Sequence, residues 1–220
     1  MTAEGSETGS KLSGAVIPVK DNIPLDRFPL ATVGLIVANI VVYLVAGSSA
    51  ARTLTVGTVF ASMFVHSSVV QLIGNVWFLW LFGTTLEDSM GPIRFLGFYI
   101  AGGLVALGVV LAIDPGASTP TVGAAGAVAA VLAGYLLLYP RARVLALVII
   151  VFFFGVMEIP TLVMVGAWVV MQAAFAAAGL IGDGGFAYLS YIGGFLFGLA
   201  VIRLLVTRRK PIPPTAAAYR

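Results

Sequence analysis

Long apolar stretches separated by short polar segments form the main pattern of this chain. A helix needs roughly 20 apolar residues to cross a hydrocarbon core of about 30 Å. Six stretches approach that length, at approximately residues 30–47, 60–82, 93–113, 121–139, 159–180 and 186–207. A further apolar run, Val144 to Met157, is short for a span and ends at Glu158-Ile159-Pro160, so we interpret it as an interfacial or re-entrant segment. The pattern predicts an all-α membrane protein, a bundle of six transmembrane helices.

The same pattern divides the chain into three parts. Residues 1–29 are mostly polar and are expected to form a largely disordered tail. Residues 30–207 form the predicted membrane domain, and residues 208–220 form a short basic tail that contains prolines. Hydrophobic residues make up 60% of the chain and charged residues 10%. Soluble domains are nearer half apolar, so this composition excludes an ordinary soluble domain.

Basic residues are distributed asymmetrically about the predicted spans. Six spans place both termini on one side, and Arg52 is the single basic residue assigned to the other side. Because basic residues concentrate in cytoplasmic loops, we expect both termini to be cytoplasmic and the protein to lie in the plasma membrane. The net charge of +3 is then explained by topology and by contact with anionic membrane lipids, and it gives no case for nucleic acid.

Residue counts exclude several kinds of site. The chain contains no cysteine and one histidine. Disulfides, thiolate metal sites and a His-Glu-x-x-His zinc site are therefore excluded. We expect neither a metal nor a cofactor.

The second stretch carries three polar residues that are expensive in hydrocarbon, His66, Gln71 and Asn75. Gln71 and Asn75 are four residues apart and share one helix face. His66 would point elsewhere on an uninterrupted helix, so we expect it just before the helix, near the outer surface. A lone histidine beside Ser67 and Ser68 is by default a hydrogen-bonding residue.

Small residues dominate the start of the fourth stretch, Gly123-Ala124-Ala125-Gly126-Ala127. Such a helix start either tightens helix packing or leaves backbone N–H groups reachable for an oxyanion. On the sixth stretch Tyr191, Gly194 and Gly198 share a face. Their spacing predicts that the sixth helix packs closely on the fourth, which would bring Tyr191 near Ala125.

Read together and in order, these motifs resemble the rhomboid family of intramembrane serine proteases over roughly residues 27 to 207. That family has a histidine, a second histidine five residues later and an asparagine four further on, then Gly-x-Ser-Gly and His-x-Gly-Gly. The counterparts here are His66, Gln71, Asn75, Gly123-Ala124-Ala125-Gly126 and Tyr191-Ile192-Gly193-Gly194.

The resemblance implies a role for each position. Ala125 stands in the place of the serine nucleophile and Tyr191 in the place of its histidine base. His66 and Asn75 match residues that stabilise the oxyanion, and Gln71 replaces the histidine between them. Alanine has no oxygen that attacks a carbonyl, and tyrosine, with a pKa of about 10, is a poor base near neutrality. The resemblance therefore implies a scaffold without its catalytic pair.

Three functions follow as hypotheses. The first is a pseudoprotease that binds transmembrane segments of client proteins without cutting them. The alternative is an intramembrane serine-type endopeptidase with a relocated serine or threonine and His66 as base, and the third is a small transporter or channel. The missing pair is explained by natural divergence or by an engineered knockout. We also expect Ala125 and Tyr191 to face each other across a water-accessible cavity that opens to the outer side, with Gln71 and Asn75 on its wall.

Overall fold

The computed structural model describes residues 14–46, 63–66, 68–113, 124–150, 153–180 and 186–213. Within these ranges lie six long helices and three strands. The helices are α1 (Leu30–Ala46), α2 (Val69–Met90), α3 (Pro92–Ile113), α4 (Ala125–Leu138), α5 (Thr161–Leu180) and α6 (Phe186–Leu205), and the strands are β1 (Gly14–Asp21), β2 (Arg143–Ile150) and β3 (Phe153–Pro160).

Each helix overlaps one of the predicted apolar stretches. Among the helices of the described residues, only α2 and α3 are long and apolar enough, by length and composition, to cross a membrane. The other four helices contain shorter apolar segments, of 10 to 17 residues. The structure thus supports a mostly helical membrane fold, and the number of six spans stays a prediction.

The start of α2 differs from the expectation. The helix begins at Val69 rather than near residue 60, because Ser68 caps it: the Ser68 hydroxyl accepts a hydrogen bond from the Gln71 N–H at 3.2 Å. The helix passes through a π-helical segment, Leu79–Gly83, and runs on to Met90. Gly91 ends it with φ of +88°, a conformation that favours glycine.

Helix α4 forms the centre of the helix bundle. All of its residues from Ala125 to Tyr135 are buried, and α2, α3, α5 and α6 pack around it. The outer helices expose large apolar side chains, among them Leu44, Val70 and Leu204. This arrangement suits a bundle in lipid, where small residues bring helices together and large apolar residues face the acyl chains.

The structure corrects the all-α prediction. The three strands form an antiparallel sheet in the order β1-β2-β3. The run from Val144 to Met157, interpreted above as an interfacial or re-entrant segment, contributes most of β2 and β3. An apolar run of this length is enough for two strands, and its β-branched and aromatic residues favour strands. The ladder between β1 and β2 is irregular between Pro18 and Lys20, as expected where proline lacks an N–H group.

Parts of both predicted tails are ordered, although the sequence suggested disorder only for the first. Within the first tail, residues 14–21 form β1 instead of disordered chain. Within the second, residues 208–213 fold back onto the bundle, and the buried Lys210 ammonium pairs with Asp88 and with the Pro24 carbonyl. We call this end of the bundle, formed by residues 208–213 and the ends of α2 and α6, the basic face. The two helices end side by side there, because the Thr207 and Arg208 N–H groups donate hydrogen bonds to the Ser89 carbonyl.

A buried carboxylate secures the first turn of α1. Glu87 accepts hydrogen bonds from the backbone N–H groups of Ala31 (2.9 Å) and Thr32 (2.7 Å) and from the Thr32 hydroxyl (2.8 Å). The first N–H groups of a helix have no partner within the helix, and the positive end of its dipole favours an anion. Glu87 therefore joins α2 to α1 through charged hydrogen bonds.

We expect Glu87→Gln to lower the free energy of unfolding by about 2–4 kcal/mol, because hydrogen bonds to a charged group each contribute about 1.5–3 kcal/mol. Glu158→Gln is the control: Glu158 pairs with Arg143 at 3.4 Å, but both side chains are partly exposed. Such pairs contribute about 1 kcal/mol or less. Thermal unfolding in detergent measures both variants, and equal losses would contradict the assigned role of Glu87.

A second buried carboxylate, Asp21, lies where β1 meets the bundle. The hydroxyls of Thr85 and Tyr135 both donate to its Oδ2 at 2.8 Å. Burial raises the pKa of Asp21 above its ordinary value of 3.8, and the hydrogen bonds from Thr85 and Tyr135 partly oppose the rise. A raised pKa in the folded state means that the charged form costs stability. The contribution of the Asp21 carboxyl to the stability of the folded state is fully present below pH 3.8. It is lost as pH rises through the raised pKa, because the buried group then becomes charged.

We therefore expect Asp21→Asn, which keeps an acceptor oxygen but carries no charge, to gain stability relative to the unaltered protein as pH rises from 4 to 8. Asp21→Ala removes the acceptor too and should lose stability at every pH, since it leaves two hydroxyls without a partner. Unfolding temperatures across this pH range test the expectation. A difference between Asp21→Asn and the unaltered protein that does not change with pH would contradict it.

Candidate functional site

The backbones of α4 and α6 touch beside the first turn of α4. A Cβ atom on Gly194 would overlap the carbonyl oxygen of Gly126 and lie 2.9 Å from its carbonyl carbon. One turn further along α6, a Cβ on Gly198 would lie 2.8 Å from the Cα of Ala130. Contacts this short leave room only for hydrogen at these positions of α6. Gly123, the first residue of the small-residue motif, lies outside the described residues.

This close contact brings Ala125 and Tyr191 into one cluster. Both are buried, with 6% and 9% of their surface exposed, and they pack with Ala129. Trp168 of α5 and Tyr188 and Phe195 of α6 cover the cluster. The Tyr188 and Tyr191 rings meet edge to face with centroids 5.8 Å apart. An aromatic cluster thus occupies the place where the resemblance puts a catalytic pair.

Tyr191 is also joined to α2. Its hydroxyl lies close to the side chain of Gln71. The structure therefore brings together three of the positions singled out from the sequence: Ala125 packs against Tyr191, and Gln71 lies close to the Tyr191 hydroxyl. Residues 114–123, which precede α4, lie outside the described residues, and the water-accessible cavity expected beside them stays a prediction.

Asn75 lies one turn after Gln71 on α2, in a half-buried position. Its Nδ2 atom is buried and has no hydrogen-bond partner among the described residues. An unpaired donor in an apolar setting costs free energy, so it is available to an acceptor that enters the site.

His66 precedes α2, as its spacing from Asn75 indicated, and is fully buried. Its Nδ1–H donates to the Phe64 carbonyl at 3.0 Å, and its ring lies edge-on to Tyr43 with centroids 6.5 Å apart. Burial lowers the pKa of His66, and the contact with the Phe64 carbonyl opposes this. The imidazole is therefore neutral at pH 7, and its Nε2 has no partner among the described residues. These contacts do not join His66 to Ala125 or Tyr191.

Helix α5 contributes residues that the sequence reading did not single out. Trp168 and Gln172, one turn apart, line a small cavity of about 30 Å³ together with Tyr191 and Phe195. The Oε1 atom of Gln172 is buried without a partner in the described part of the chain. A polar residue inside an apolar span is the signal that could have identified Gln172.

Comparison with known proteins identifies the family. Residues 53–208 match the rhomboid domain. The chain belongs to the rhomboid family. The match covers more than half of the chain, and it confirms the resemblance drawn from the motifs.

Curated relatives agree with this assignment to the rhomboids. "Presenilin-associated rhomboid-like protein A, mitochondrial" of Danio rerio is 28% identical over 159 residues, 69% of this chain and 39% of that protein. "Rhomboid protein 1, mitochondrial" of Saccharomyces cerevisiae is 32% identical over 149 residues, 64% of this chain and 40% of that protein. The human presenilin-associated rhomboid-like protein is 26% identical over 157 residues. The chain spans about two fifths of the length of these relatives.

The relatives correct one expectation. They are mitochondrial proteins by name, and this overturns the plasma-membrane location predicted from the charge pattern. The charge pattern orients helices relative to a membrane but carries no information on which membrane it is. The membrane character itself is supported by the rhomboid domain and by the lipid environment that it implies.

Proposed function

We propose that this rhomboid-family protein is a pseudoprotease, a bundle of six transmembrane helices that binds transmembrane segments of client proteins without cutting them. The observation that carries the proposal is the cluster of Ala125 and Tyr191. The position matching the nucleophile has no oxygen, and the position matching the base is a tyrosine buried among aromatic side chains.

The chemistry of the two side chains explains the expected loss of proteolysis. A covalent mechanism needs a nucleophile and an adjacent base that takes its proton. In a serine hydrolase, the loss of either partner costs on the order of 10⁶ in turnover. Here both positions have changed, so the family mechanism cannot begin at this site.

Unpaired polar atoms near the cluster support a binding role. Asn75 Nδ2 and Gln172 Oε1 have no partner within the described ranges. Asn75 lies one turn from Gln71 on α2, and Gln172 lines the cavity beside Tyr191. Polar groups in hydrocarbon are stabilised by partners on neighbouring helices. A client helix that carries a polar residue or a locally unwound turn would supply an acceptor to Asn75 and a donor to Gln172.

Site-specific crosslinking in membranes tests the proposal. A photoreactive amino acid replaces Gln172, and in a matched control it replaces Val163 on the same helix, where 59% of the side chain is exposed. We expect a set of transmembrane proteins enriched at position 172 over position 163 and over an unrelated polytopic protein. Equal capture at both positions would contradict a client site beside Tyr191.

The alternative, an intramembrane serine-type endopeptidase, is favoured by one observation. His66 is neutral and has an Nε2 atom without a described partner, and such an imidazole is able to accept a proton from a hydroxyl. Cleavage of a transmembrane peptide by the unaltered protein that is abolished by His66→Gln would support this alternative and contradict the pseudoprotease.

A further inference from the structure

Two adjoining grooves lie at the basic face, between the end of α4 and the chain that follows α6. Their volumes are about 500 Å³ and 360 Å³, and they share Leu138, Arg203 and Arg209. The larger groove is also lined by Arg141 and by the buried Lys210. Arginine side chains from two distant parts of the sequence thus meet around one depression.

The carboxylates of the described residues leave this depression without a counter-charge. Glu87 binds the first turn of α1, and Asp21 binds two hydroxyls. The other three are engaged in ion pairs: Asp88 with Lys210, Asp26 with Arg208 and Lys210, and Glu158 with Arg143. Arg141, Arg203 and Arg209 therefore have no carboxylate partner within the described ranges, although they converge on one groove.

Apolar side chains form part of the groove wall. Leu137 and Leu138 form one wall and Ile212 contributes to the other. The groove begins where the apolar helices α4 and α6 end. Guanidinium groups bind phosphate oxygens in a bidentate manner. A soluble anion would satisfy the arginines but would leave the leucine wall uncovered.

We propose that this groove, which we call the arginine groove, binds the phosphate and glycerol backbone of an anionic phospholipid. The phosphate lies against Arg141, Arg203 and Arg209, and the upper acyl chain covers Leu137 and Leu138. Basic pockets between membrane helices are suited to anionic headgroups. The bound lipid would hold the end of α4 against the segment after α6, so it would stabilise the folded protein.

Thermal unfolding of the full chain in detergent, with added lipid, tests the arginine groove. We expect dioleoyl phosphatidylglycerol to raise the unfolding temperature by about 5 °C more than dioleoyl phosphatidylcholine does. In Arg203→Gln/Arg209→Gln this difference should disappear, and in Lys20→Gln/Arg27→Gln, which removes two charges elsewhere, it should remain. Arg203→Lys/Arg209→Lys keeps the charge and should retain part of the difference.

Three outcomes would overturn the proposal. Equal loss of the lipid effect in both glutamine variants would show general attraction to a basic surface rather than a site. Full protection by glycerol phosphate or inorganic phosphate alone would show an anion site without a lipid. Size-exclusion chromatography first checks that the Arg203→Gln/Arg209→Gln protein elutes as a single species. An unchanged lipid effect in this folded variant would show that the lipid binds elsewhere.

Discussion

Gly194→Ala and Gly198→Ala should each destabilise the protein by about 3 kcal/mol or more, equivalent to a fall of about 10 °C in the unfolding temperature. The reason is backbone contact between α6 and α4. The new methyl group at position 194 would overlap the Gly126 carbonyl, and the one at position 198 would lie 2.9 Å from the Cβ of Ala133. A flexible side chain could move aside, but a helix backbone moves only with its whole helix.

Gly108→Ala provides the matched control, since a Cβ on this helical glycine meets nothing within 4 Å. This change should be neutral or slightly stabilising because alanine favours the helix. Scanning fluorimetry in detergent compares the three variants. Similar unfolding temperatures for Gly194→Ala and Gly108→Ala would show that α4 and α6 do not touch in this way.

The sequence predicted the helices well because each helix in a bundle of this kind is a long apolar stretch. It also placed His66 before α2 correctly, because a spacing of nine residues from Asn75 does not fit one face of a helix. The spacing of Tyr191, Gly194 and Gly198 predicted the close packing of α6 on α4, because residues three and four apart lie on one face of a helix. Small residues three and four apart define a face that another backbone approaches.

The sheet was missed because local signals do not specify it. The sequence between β2 and β3 is Val151-Phe152, which contains no glycine, asparagine or proline to indicate a turn, and these two residues lie outside the described ranges. The partner of β2 on its other side is β1, more than a hundred residues earlier in the chain. Pairing over such a separation depends on tertiary structure, which a pattern of apolar residues does not report.

The candidate site was predicted in part. Motif spacing pointed to Ala125 and Tyr191, but it could not show that Trp168 and Phe195 cover them. Nor could it show that Gln172 of α5 lines a cavity with Tyr191. These contacts depend on how α5 packs against α6, and the sequence of α5 contains no motif that fixes this packing.

Placing serine and histidine at the two positions that our proposal assigns to a lost catalytic pair should produce the largest change in activity. Ala125→Ser supplies a hydroxyl on the first residue of α4, and Tyr191→His supplies an imidazole from the neighbouring turn of α6. The contact of Gly194 with Gly126 already holds these two turns together, so the new groups begin close to each other. The smaller imidazole also vacates part of the space that the Tyr191 ring fills in the aromatic cluster.

We expect the double variant to cleave a transmembrane substrate at least 10³ times faster than the unaltered protein, because a nucleophile and its base act as a unit. For the same reason, Ala125→Ser alone and Tyr191→His alone should stay near background. The double variant should also keep the unfolding temperature within a few degrees, since both positions lie outside the glycine contacts.

The most direct test of the account is cleavage of a fluorogenic transmembrane substrate in proteoliposomes by the unaltered protein and by Ala125→Ser/Tyr191→His at equal protein concentrations. The account predicts no cleavage above that of empty liposomes for the unaltered protein, and measurable cleavage for the double variant. Cleavage by the unaltered protein above the background of empty liposomes would contradict it, because the chain would then cut through groups other than those at positions 125 and 191.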